Sequence, residues 1–503
     1  MAGKTEAPTP GPTSTRHRTR GRGTAAGYHS RVANDHGLPD LSALELAARI
    51  RSREVSPVEA LEGCLARVDQ RNQALNAVIW REDDTARAEA ARLAQLVMRS
   101  DPEDLPPFCG VPIPIKDLTP VAGWPVTYGS WAAPAGPSAE SELVVEAFQR
   151  AGFVLCGRTN TPEFGPITAA ENLRYGISRN PWDLRYTPGG SSGGAAAATA
   201  GGLFPIAHGN DGGGSIRIPA SCCGLVGLKV SRGRIPTRIT PWEGSAVEGV
   251  LTHDVADTAA VLDITCGPDR GSWYNAPKPA RPFLTEVGAN PGVLRVGVLE
   301  DPPLGLGLDD ACRGAVQLAA RTLEALGHHV APAQMDLAPD TVVALLNIIN
   351  AGLADYVDID WERTEPHIQA GRAAAQAIDS LLYVRSVHDL QRFSRTLVAR
   401  WGQEFDVLLT PTMTIPPPPA GTVLAAAHQA LGGPALPVLQ MAAITSTFNI
   451  TGQPAISLPL SQTPEGLPIG VQLVAGPWEE ALLLRLAAQL EQALPWSGRR
   501  PSL

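Results

Sequence analysis

A glycine-dense stretch at residues 187–237 constrains this chain more than any other feature. Two serine clusters, GGSSGG and GGGSIR, lie on either side of a segment of small residues. Glycine loses more conformational freedom on folding than any other residue and offers no side chain to a core. Glycines at this density therefore indicate backbone that must approach another group closely, with N–H groups free to point at it. The serines within such backbone are candidate nucleophiles.

Composition bounds the class of protein. The 503 residues are 44% hydrophobic and 18% charged, which supplies enough apolar material for a globular core. A net charge of −9 argues against nucleic acid as a main partner. No apolar run approaches the roughly 20 residues of a membrane helix, so no membrane partner is expected. The seven cysteines form no Cys-x-x-Cys pair and no Cys/His spacing suited to zinc, which predicts reduced thiols in a cytoplasmic protein.

The first 35 residues differ from the rest of the chain. They are rich in Pro, Thr, Gly and Arg and lack apolar periodicity, which predicts a disordered basic tail. They also lack the apolar segment of a secretory signal. Residues 36–503 contain no visible repeat or linker and are predicted to form one domain. Helical patterns, such as the one over residues 40–98, alternate with apolar strand-like runs and glycine turns, which indicates an α/β fold.

Lys116 ends a strand-like apolar run at residues 110–118. Lysine is rarely buried, because removing an ammonium from water is costly. Lys116 could be the solvent-seeking end of an edge strand, the more common case for a lone lysine. It could also be a desolvated amine whose pKa falls until it can act as a base. The position of the residue does not by itself decide between these interpretations.

Two familiar uses of a glycine-rich block fit poorly. A phosphate-binding loop needs Gly-Lys-Ser/Thr after an upstream glycine, or G-x-G-x-x-G opening a helix, and neither occurs in the right context. Residues 190–194 match G-x-S-x-G with Ser192 at the centre, but a nucleophile elbow must follow a buried strand. The preceding residues 184–188 are polar and end in proline, which favours a loop.

Lys116, PGGSSGG and GNDGGGSIRIPASCCGLVGLK together resemble the amidase signature family of serine hydrolases. The spacing of 75 residues from Lys116 to Ser191 and of 24 residues from Ser191 to Ser215 fits that family. The likeness extends from about Leu41 to Trp496 and includes GRTNTPEFG and FDVLLTPT. The resemblance implies an α/β fold with a large central, mostly mixed β-sheet surrounded by helices, and a single amidase domain over residues 36–503.

The resemblance also implies a Ser–cis-Ser–Lys triad acting through an acyl-enzyme. Ser215 would be the nucleophile, Ser191 the serine that relays its proton, and Lys116 the neutral base. The relay would return a proton to the leaving amine.

Further roles follow from the same resemblance. Asp211 and Arg217 are expected to pair and brace the nucleophile loop, and Ser192 is expected to support Lys116 by a hydrogen bond. The oxyanion hole would be formed by four backbone N–H groups, those of Gly212, Gly213, Gly214 and Ser215. The chain departs from many members at Asn210, where threonine is common, and at Gly212, where a larger residue is common.

The implied activity is hydrolysis of a small-molecule amide to a carboxylate plus an amine or ammonia, with no cofactor and no metal. Cyclic or linear oligoamides and carbamates are alternative substrates, and the nucleophile loop resembles the cyclic-amide and aryl-amide branch more closely. A glutaminase subunit of a tRNA-dependent amidotransferase is a second alternative, although TPEFGPI stands where that subunit usually has M-D-E-F-A-M-G. A non-catalytic docking module should have lost one of the three triad residues. A homodimer is compatible with the sequence.

The walls of the substrate pocket are expected from three variable segments, residues 124–131, 347–367 and 441–449. One sequence does not say which substrate they fit.

Overall fold

The computed structural model describes residues 1, 3, 37–134, 136–430 and 433–503. The predicted basic tail, apart from Met1 and Gly3, lies outside the described residues. Three helices open the described chain, α1 (Ala43–Arg51), α2 (Pro57–Leu75) and α3 (Asp83–Arg99). Ser56 caps α2 through its Oγ, which accepts from the Glu59 N–H, while the Glu59 carboxylate accepts from the Ser56 N–H. The predicted helical region is interrupted by a short strand, β1 (Val78–Arg81).

A small three-stranded sheet carries the lysine. It consists of β1, β2 (Pro112–Lys116) and β3 (Val154–Thr159) in the order β1-β3-β2, with β2 parallel to β3. Parallel neighbours need a crossover connection, which α4 (Leu143–Arg150) supplies. Lys116 is the last residue of β2, at the edge of this sheet. Two further short strands, β4 (Glu171–Asn172) and β5 (Gly176–Ile177), pair with each other.

The large sheet has eight strands in the order β10-β9-β11-β13-β12-β7-β8-β6. The strands are β6 (Ala207–Asp211), β7 (Val226–Lys229), β8 (Val247–Thr252), β9 (Arg295–Val298), β10 (His329–Pro332), β11 (Val407–Pro411), β12 (Ala455–Gln462) and β13 (Pro468–Val474). Strand β9 is parallel to both of its neighbours, and the remaining pairs are antiparallel. The sheet is therefore mixed, as predicted.

Helices cover both faces of the large sheet. The helices after β5 in the described chain are α5 (Gly193–Ala200), α6 (Arg217–Cys223), α7 (Val255–Thr265), α8 (Asp310–Ala325), α9 (Pro339–Ala351), α10 (Pro366–Gln376), α11 (Ser380–Val398), α12 (Thr422–Gln429), α13 (Leu436–Thr451) and α14 (Glu480–Ala493). Of these, α9, α10 and α12 pack mainly on other helices. On β11, Val407 and Leu409 join the core formed with α8 and α14, whereas Leu408 joins the core formed with α11 and α13. This alternation explains why apolar residues run continuously along the strand. Among the described residues, no helix combines the length and hydropathy that crossing a membrane requires.

The edges of the two sheets meet beside the glycine-rich block. The backbone N–H of Lys116 on β2 donates to Nδ1 of His208 on β6, at 3.3 Å. Strand β6 ends at Asp211 and leads directly into the glycine triplet and α6. Helix α5 connects GGSSGG to β6, and all eight of its residues are buried. Its small side chains let the backbone pack closely and hold both serine loops against Lys116.

Candidate active site

Lys116 is fully buried, so it is not the solvent-seeking end of an edge strand. Its Nζ lies 2.7 Å from Ser191 Oγ, 2.9 Å from Ser192 Oγ and 2.7 Å from Asn210 Oδ1. A neutral lysine has two N–H groups and one lone pair. The two N–H groups can donate to Ser192 and Asn210, and the lone pair can then accept the hydroxyl proton of Ser191. This arrangement satisfies every polar atom of an uncharged amine.

The surroundings of Lys116 favour that uncharged state. Burial lowers the pKa of the Lys116 amine to about 7, against the opposing influence of the Glu248 and Asp211 charges. A substantial fraction of the amine is therefore neutral at physiological pH and able to accept a proton.

A histidine and a glutamate that the sequence analysis did not single out position the lysine. Nδ1 of His208 accepts from the Lys116 N–H, so the proton of the ring is on Nε2, which donates to Glu248 Oε2 at 2.8 Å. The interaction links β2, β6 and β8 and holds the end of β2 in place. His208 stands only two residues before Asn210, in the sequence AHGND, but a lone histidine there carries no motif.

The first serine loop presents the hydroxyls of both Ser191 and Ser192 to the lysine amine. The peptide bond between Gly190 and Ser191 is cis, and Ser191 is buried. Ser192 lies at the N-cap of α5, and its hydroxyl donates to the Asn210 carbonyl at 3.1 Å. A Cβ on Gly190 would lie 2.6 Å from the Ala169 backbone nitrogen, so only glycine fits there.

Ser215 lies on the second loop, just before α6, and faces a cavity of about 330 Å³ that Ser191 and Asn210 also line. Its Oγ has no hydrogen-bond partner within the described part of the chain. Its carbonyl accepts from the Ser192 N–H at 3.2 Å, which ties the two serine loops together. The structure thus brings Lys116, Ser191 and Ser215 to one site.

The glycine triplet does not present all of its N–H groups to this cavity. The N–H of Gly214 donates to Asp211 Oδ1 at 2.7 Å, so it serves the loop rather than a ligand. The N–H groups of Gly212, Gly213 and Ser215 have no acceptor among the residues that the structure describes. Three of the four N–H groups that the resemblance implies are therefore without a protein acceptor in the described residues, and the fourth is used within the loop.

Asp211 and Arg217 form a fully buried ion pair beneath the loop. Arg217 Nη2 donates to Asp211 Oδ1 at 2.8 Å and Arg217 Nε donates to Asp211 Oδ2 at 2.9 Å. The remaining guanidinium donors reach Asn449, Thr445 and Gln472. Burial alone would raise the pKa of the Asp211 carboxyl, but the charge and hydrogen bonds of Arg217 hold it well below its usual range. The loop that carries Ser215 is thus braced by a charged pair whose polar atoms are satisfied.

The amino-acid sequence is similar to known proteins over most of its length, and this similarity shows the family of the chain. The family described as Amidase matches residues 59–484. The chain belongs to the amidase signature family. This amidase is 39% identical over 490 residues to a 6-aminohexanoate-cyclic-dimer hydrolase of Pseudomonas sp. (strain NK87), which covers 91% of this chain and 95% of that protein. This amidase, as a member of that family, is a hydrolase acting on amide C–N bonds.

Comparison with solved structures supports the same family. The amidase is similar to the structure of a 6-aminohexanoate cyclic dimer hydrolase complexed with substrate, with a TM-score of 0.85 and 36% identity over 92% of this chain and 99% of that one. It is also similar to a bacterial aryl acylamidase of the same family, with a TM-score of 0.82 and 26% identity over 91% and 99% of the two chains.

A second, apolar cavity opens beside Ser215 of the amidase. Its volume is about 100 Å³, and it shares Gly165, Gly212, Ser215 and Trp242 with the larger cavity. The ring of Trp242 occupies the space where a side chain on residue 212 would lie, because a Cβ on Gly212 would be 2.3 Å from Trp242 Cζ3. This contact accounts for glycine at residue 212. The other walls are mainly aliphatic and include Ile167, Leu345, Leu346, Ile349 and Val438.

All three segments expected to line the pocket contribute to these two cavities. Tyr128, Tyr356 and Ser446 are examples, one from each segment. Within the first segment, residues 124–131, Tyr128 is the one residue that lines either of these two cavities. Trp124 is buried in the core and Trp131 is 52% exposed to solvent, and neither lines the cavities at Ser215.

Proposed function

We propose that this amidase hydrolyses its substrate through an acyl-enzyme on Ser215, with Ser191 and Lys116 as the proton relay. The observation that carries the proposal is the buried amine of Lys116, 2.7 Å from Ser191 Oγ, with a pKa lowered to about 7. Amide carbonyls are poor electrophiles, so a serine hydroxyl must lose its proton as it attacks. A neutral amine at the end of a serine relay supplies the required base without a histidine.

Acylation and deacylation would use the same proton relay. Ser215 Oγ bonds to the amide carbon while its proton passes to Ser191 Oγ and the Ser191 proton passes to Lys116 Nζ. The relay then returns a proton to the amide nitrogen, the C–N bond breaks, and the amine leaves. Water attacks the acyl-enzyme and gives its proton to the same relay, which releases the carboxylate and restores Ser215. The two serine hydroxyls must come within hydrogen-bond distance in the substrate complex, where catalytic hydrogen bonds commonly shorten.

We propose the N–H groups of Gly212, Gly213 and Ser215 as the oxyanion hole. Their lack of an acceptor among the described residues supports this choice, whereas the N–H of Gly214 is used by Asp211. Donors of this kind are aimed at charge that develops only in the transition state. Losing one typically costs about 10²–10³ in kcat.

For the substrate we propose amides with an aliphatic chain next to the scissile bond, such as linear or cyclic oligoamides. Similarity to the cyclic-dimer hydrolases supports this class. The aliphatic cavity beside Ser215 supports it independently, because such a wall binds methylene groups and excludes charged ones.

A cytoplasmic location stays part of the proposal, and the seven free cysteines support a reducing compartment. The homodimer stays a prediction.

A substrate panel tests the proposal. It should contain the cyclic and linear dimers of 6-aminohexanoate, an aryl acylamide, a carbamate and glutamine. We expect turnover of one or more of the amides, with Ser215→Ala reducing kcat by at least about 10³-fold. Ser380→Ala is the matched control, since Ser380 is an exposed residue at the start of α11. Full activity in Ser215→Ala would refute the assignment, and glutamine as the preferred substrate would favour the amidotransferase alternative.

The acyl-enzyme can be observed directly. Intact-mass spectrometry of protein quenched during turnover of a slow aryl ester should show one added acyl group, absent in Ser215→Ala. Peptide mapping should place it on the peptide that contains Ser215. Acylation of Ser191 instead would exchange the roles of the two serines.

A further inference from the structure

Three side chains that commonly bind metal ions meet outside the active site, where α10 begins and α12 ends. Glu365 precedes α10, His367 is the second residue of α10, and His428 is next to last in α12. One oxygen or nitrogen from each lies within 4.8 Å of the other two. Oε2 of Glu365 is 3.0 Å from His428 Nε2 and 3.6 Å from His367 Nδ1.

His367 supplies an independent sign of a missing ligand. Its side chain is only 9% exposed, and neither ring nitrogen has a hydrogen-bond partner in the described structure. Buried polar atoms are nearly always paired, and a neutral imidazole has one donor and one acceptor to satisfy. Among the other buried histidines that the structure describes, His208 and His328 pair both ring nitrogens with protein groups, and His253 pairs its Nε2 with the Thr199 carbonyl. Among these histidines His367 alone pairs neither nitrogen, and it lies beside a carboxylate and a second imidazole, with its ring centroid 5.4 Å from that of His428.

The backbone holds Glu365 in an orientation suited to a metal ligand. Its Oε1 accepts from the Leu173 N–H at 2.7 Å, which leaves Oε2 for the two histidines. The N–H of Glu365 donates to Glu163 Oε2 at 2.6 Å, and the Glu163 carboxylate in turn accepts from the Ser130 hydroxyl. Such outer contacts orient metal ligands and raise their affinity.

We propose that Glu365, His367 and His428 form a binding site for a divalent transition-metal ion, with Zn²⁺ as the best match. Two imidazoles and one carboxylate are a ligand set that zinc uses with a fourth position left for water. Tetrahedral zinc with bonds of roughly 2.0–2.2 Å separates its ligand atoms by about 3.3 Å. The observed separations of 3.0 and 3.6 Å lie on either side of that value.

The ion would link α10 to α12 and fix one wall of a cavity next to the active site. His367 lines a cavity of about 280 Å³ that shares Phe164, Trp242 and Tyr356 with the cavity at Ser215. None of the three ligands belongs to the Lys116 relay. The metal is therefore assigned a structural role, and the hydrolysis proceeds without it.

Zinc titration of the full-length protein tests the site. Protein dialysed against a chelator is titrated with Zn²⁺ by calorimetry, and we expect one site per chain. His367→Ala and His428→Ala should each weaken it by at least about 100-fold, because even the loss of an outer contact costs roughly 10–100-fold. His388→Ala, which removes an exposed histidine of α11, should bind as the wild type does. Ser215→Ala should also bind normally, which separates this site from the active site.

Thermal melting gives a second readout. Saturating Zn²⁺ should raise the melting temperature of the wild type and of His388→Ala, but not of His367→Ala. Absence of a stoichiometric site in the wild type would overturn the proposal, and so would equal zinc affinity in the wild type and His367→Ala. If His367→Ala does not fold, His428→Gln decides the question, because the side chain of His428 is 22% exposed and its loss leaves the core intact.

Discussion

Lys116 Nζ lies 2.7 Å from Ser191 Oγ, although the two residues are 75 positions apart and belong to different structural units of the fold. Lys116 ends a strand of the small sheet, whereas Ser191 lies in the loop before α5. Ser192 and Asn210 occupy the two other hydrogen-bonding directions of the amine. The lone pair of a neutral Lys116 therefore points to Ser191 and to no other hydroxyl.

The pH dependence of hydrolysis should report the protonation of Lys116. Burial lowers its pKa to about 7. Below that pH the amine is protonated and cannot accept the Ser191 proton. We expect kcat/KM to rise with pH by about tenfold per unit below pH 7 and to level off above it. Lys278→Ala, at an exposed lysine, should give the same profile. A profile without this ionisation would argue against a lysine base.

Two substitutions of Asn210 should shift the pH dependence of kcat/KM in opposite directions. Asn210→Asp places a negative charge beside the amine, stabilises the ammonium form, and should move the rising limb to higher pH by about one unit. Asn210→Ala removes an acceptor from the ammonium form, so the limb should move to lower pH while the plateau falls. Both profiles are measured as kcat/KM against pH. An unshifted limb in both variants would show that Asn210 does not position the lysine.

Gly212→Ala should impair catalysis through Trp242. The added Cβ would lie 2.3 Å from Trp242 Cζ3, so the ring or the loop must shift, and the Gly212 N–H moves with it. We expect kcat to fall by about 10²-fold, comparable to the loss of one oxyanion donor. Trp242→Ala in the same chain should recover part of the loss, which a double-mutant cycle quantifies. Gly314→Ala is the control, because nothing lies within 4 Å of the position of its Cβ. Additive effects of Gly212→Ala and Trp242→Ala would contradict the proposed contact.

The buried pair beneath the nucleophile loop should dominate local stability. Asp211→Asn leaves the Arg217 charge without its partner, which should cost about 3–5 kcal/mol in the free energy of unfolding. Arg92→Ala breaks an exposed pair with Glu89, in which Arg92 is 62% exposed, and should cost less than about 1 kcal/mol. Denaturant titration measures both values. Equal losses would mean that the buried pair has no special part in holding the loop.

The sequence indicated candidate site residues more specifically than it indicated strands. GGSSGG and GGGSIR are long, specific motifs at a characteristic spacing, so Lys116, Ser191 and Ser215 could be proposed together. Strands β6, β7 and β8 were not predicted, because they are short, glycine-containing and buried on both faces, without an alternating pattern. Strand β1 was included in a helical region because four residues between two helices carry too little periodicity to recognise.

Contacts between distant segments were beyond sequence reasoning. The pairing of His208 with Glu248, and the use of the Gly214 N–H by Asp211, depend on how β6, β8 and the glycine loop pack. The proposed zinc ligands lie on two helices far apart in the chain, with no recognisable metal spacing. A single sequence contains no signal that brings His367 and His428 together.

The meeting of β2 and β6 makes activity depend on the contact between two separate sheets. The proposed base, Lys116, comes from the edge of one sheet, and the proposed nucleophile, Ser215, comes from the loop at the edge of the other. Neither sheet alone carries all of the proposed reacting groups, so we expect a partial opening between them to abolish turnover while most helices remain intact. In a denaturant titration followed by hydrolysis and by circular dichroism, we expect hydrolysis to fall first, and coincident curves would contradict this. Enzyme activity would thus report whether the two sheets are in contact, independently of how much helix remains.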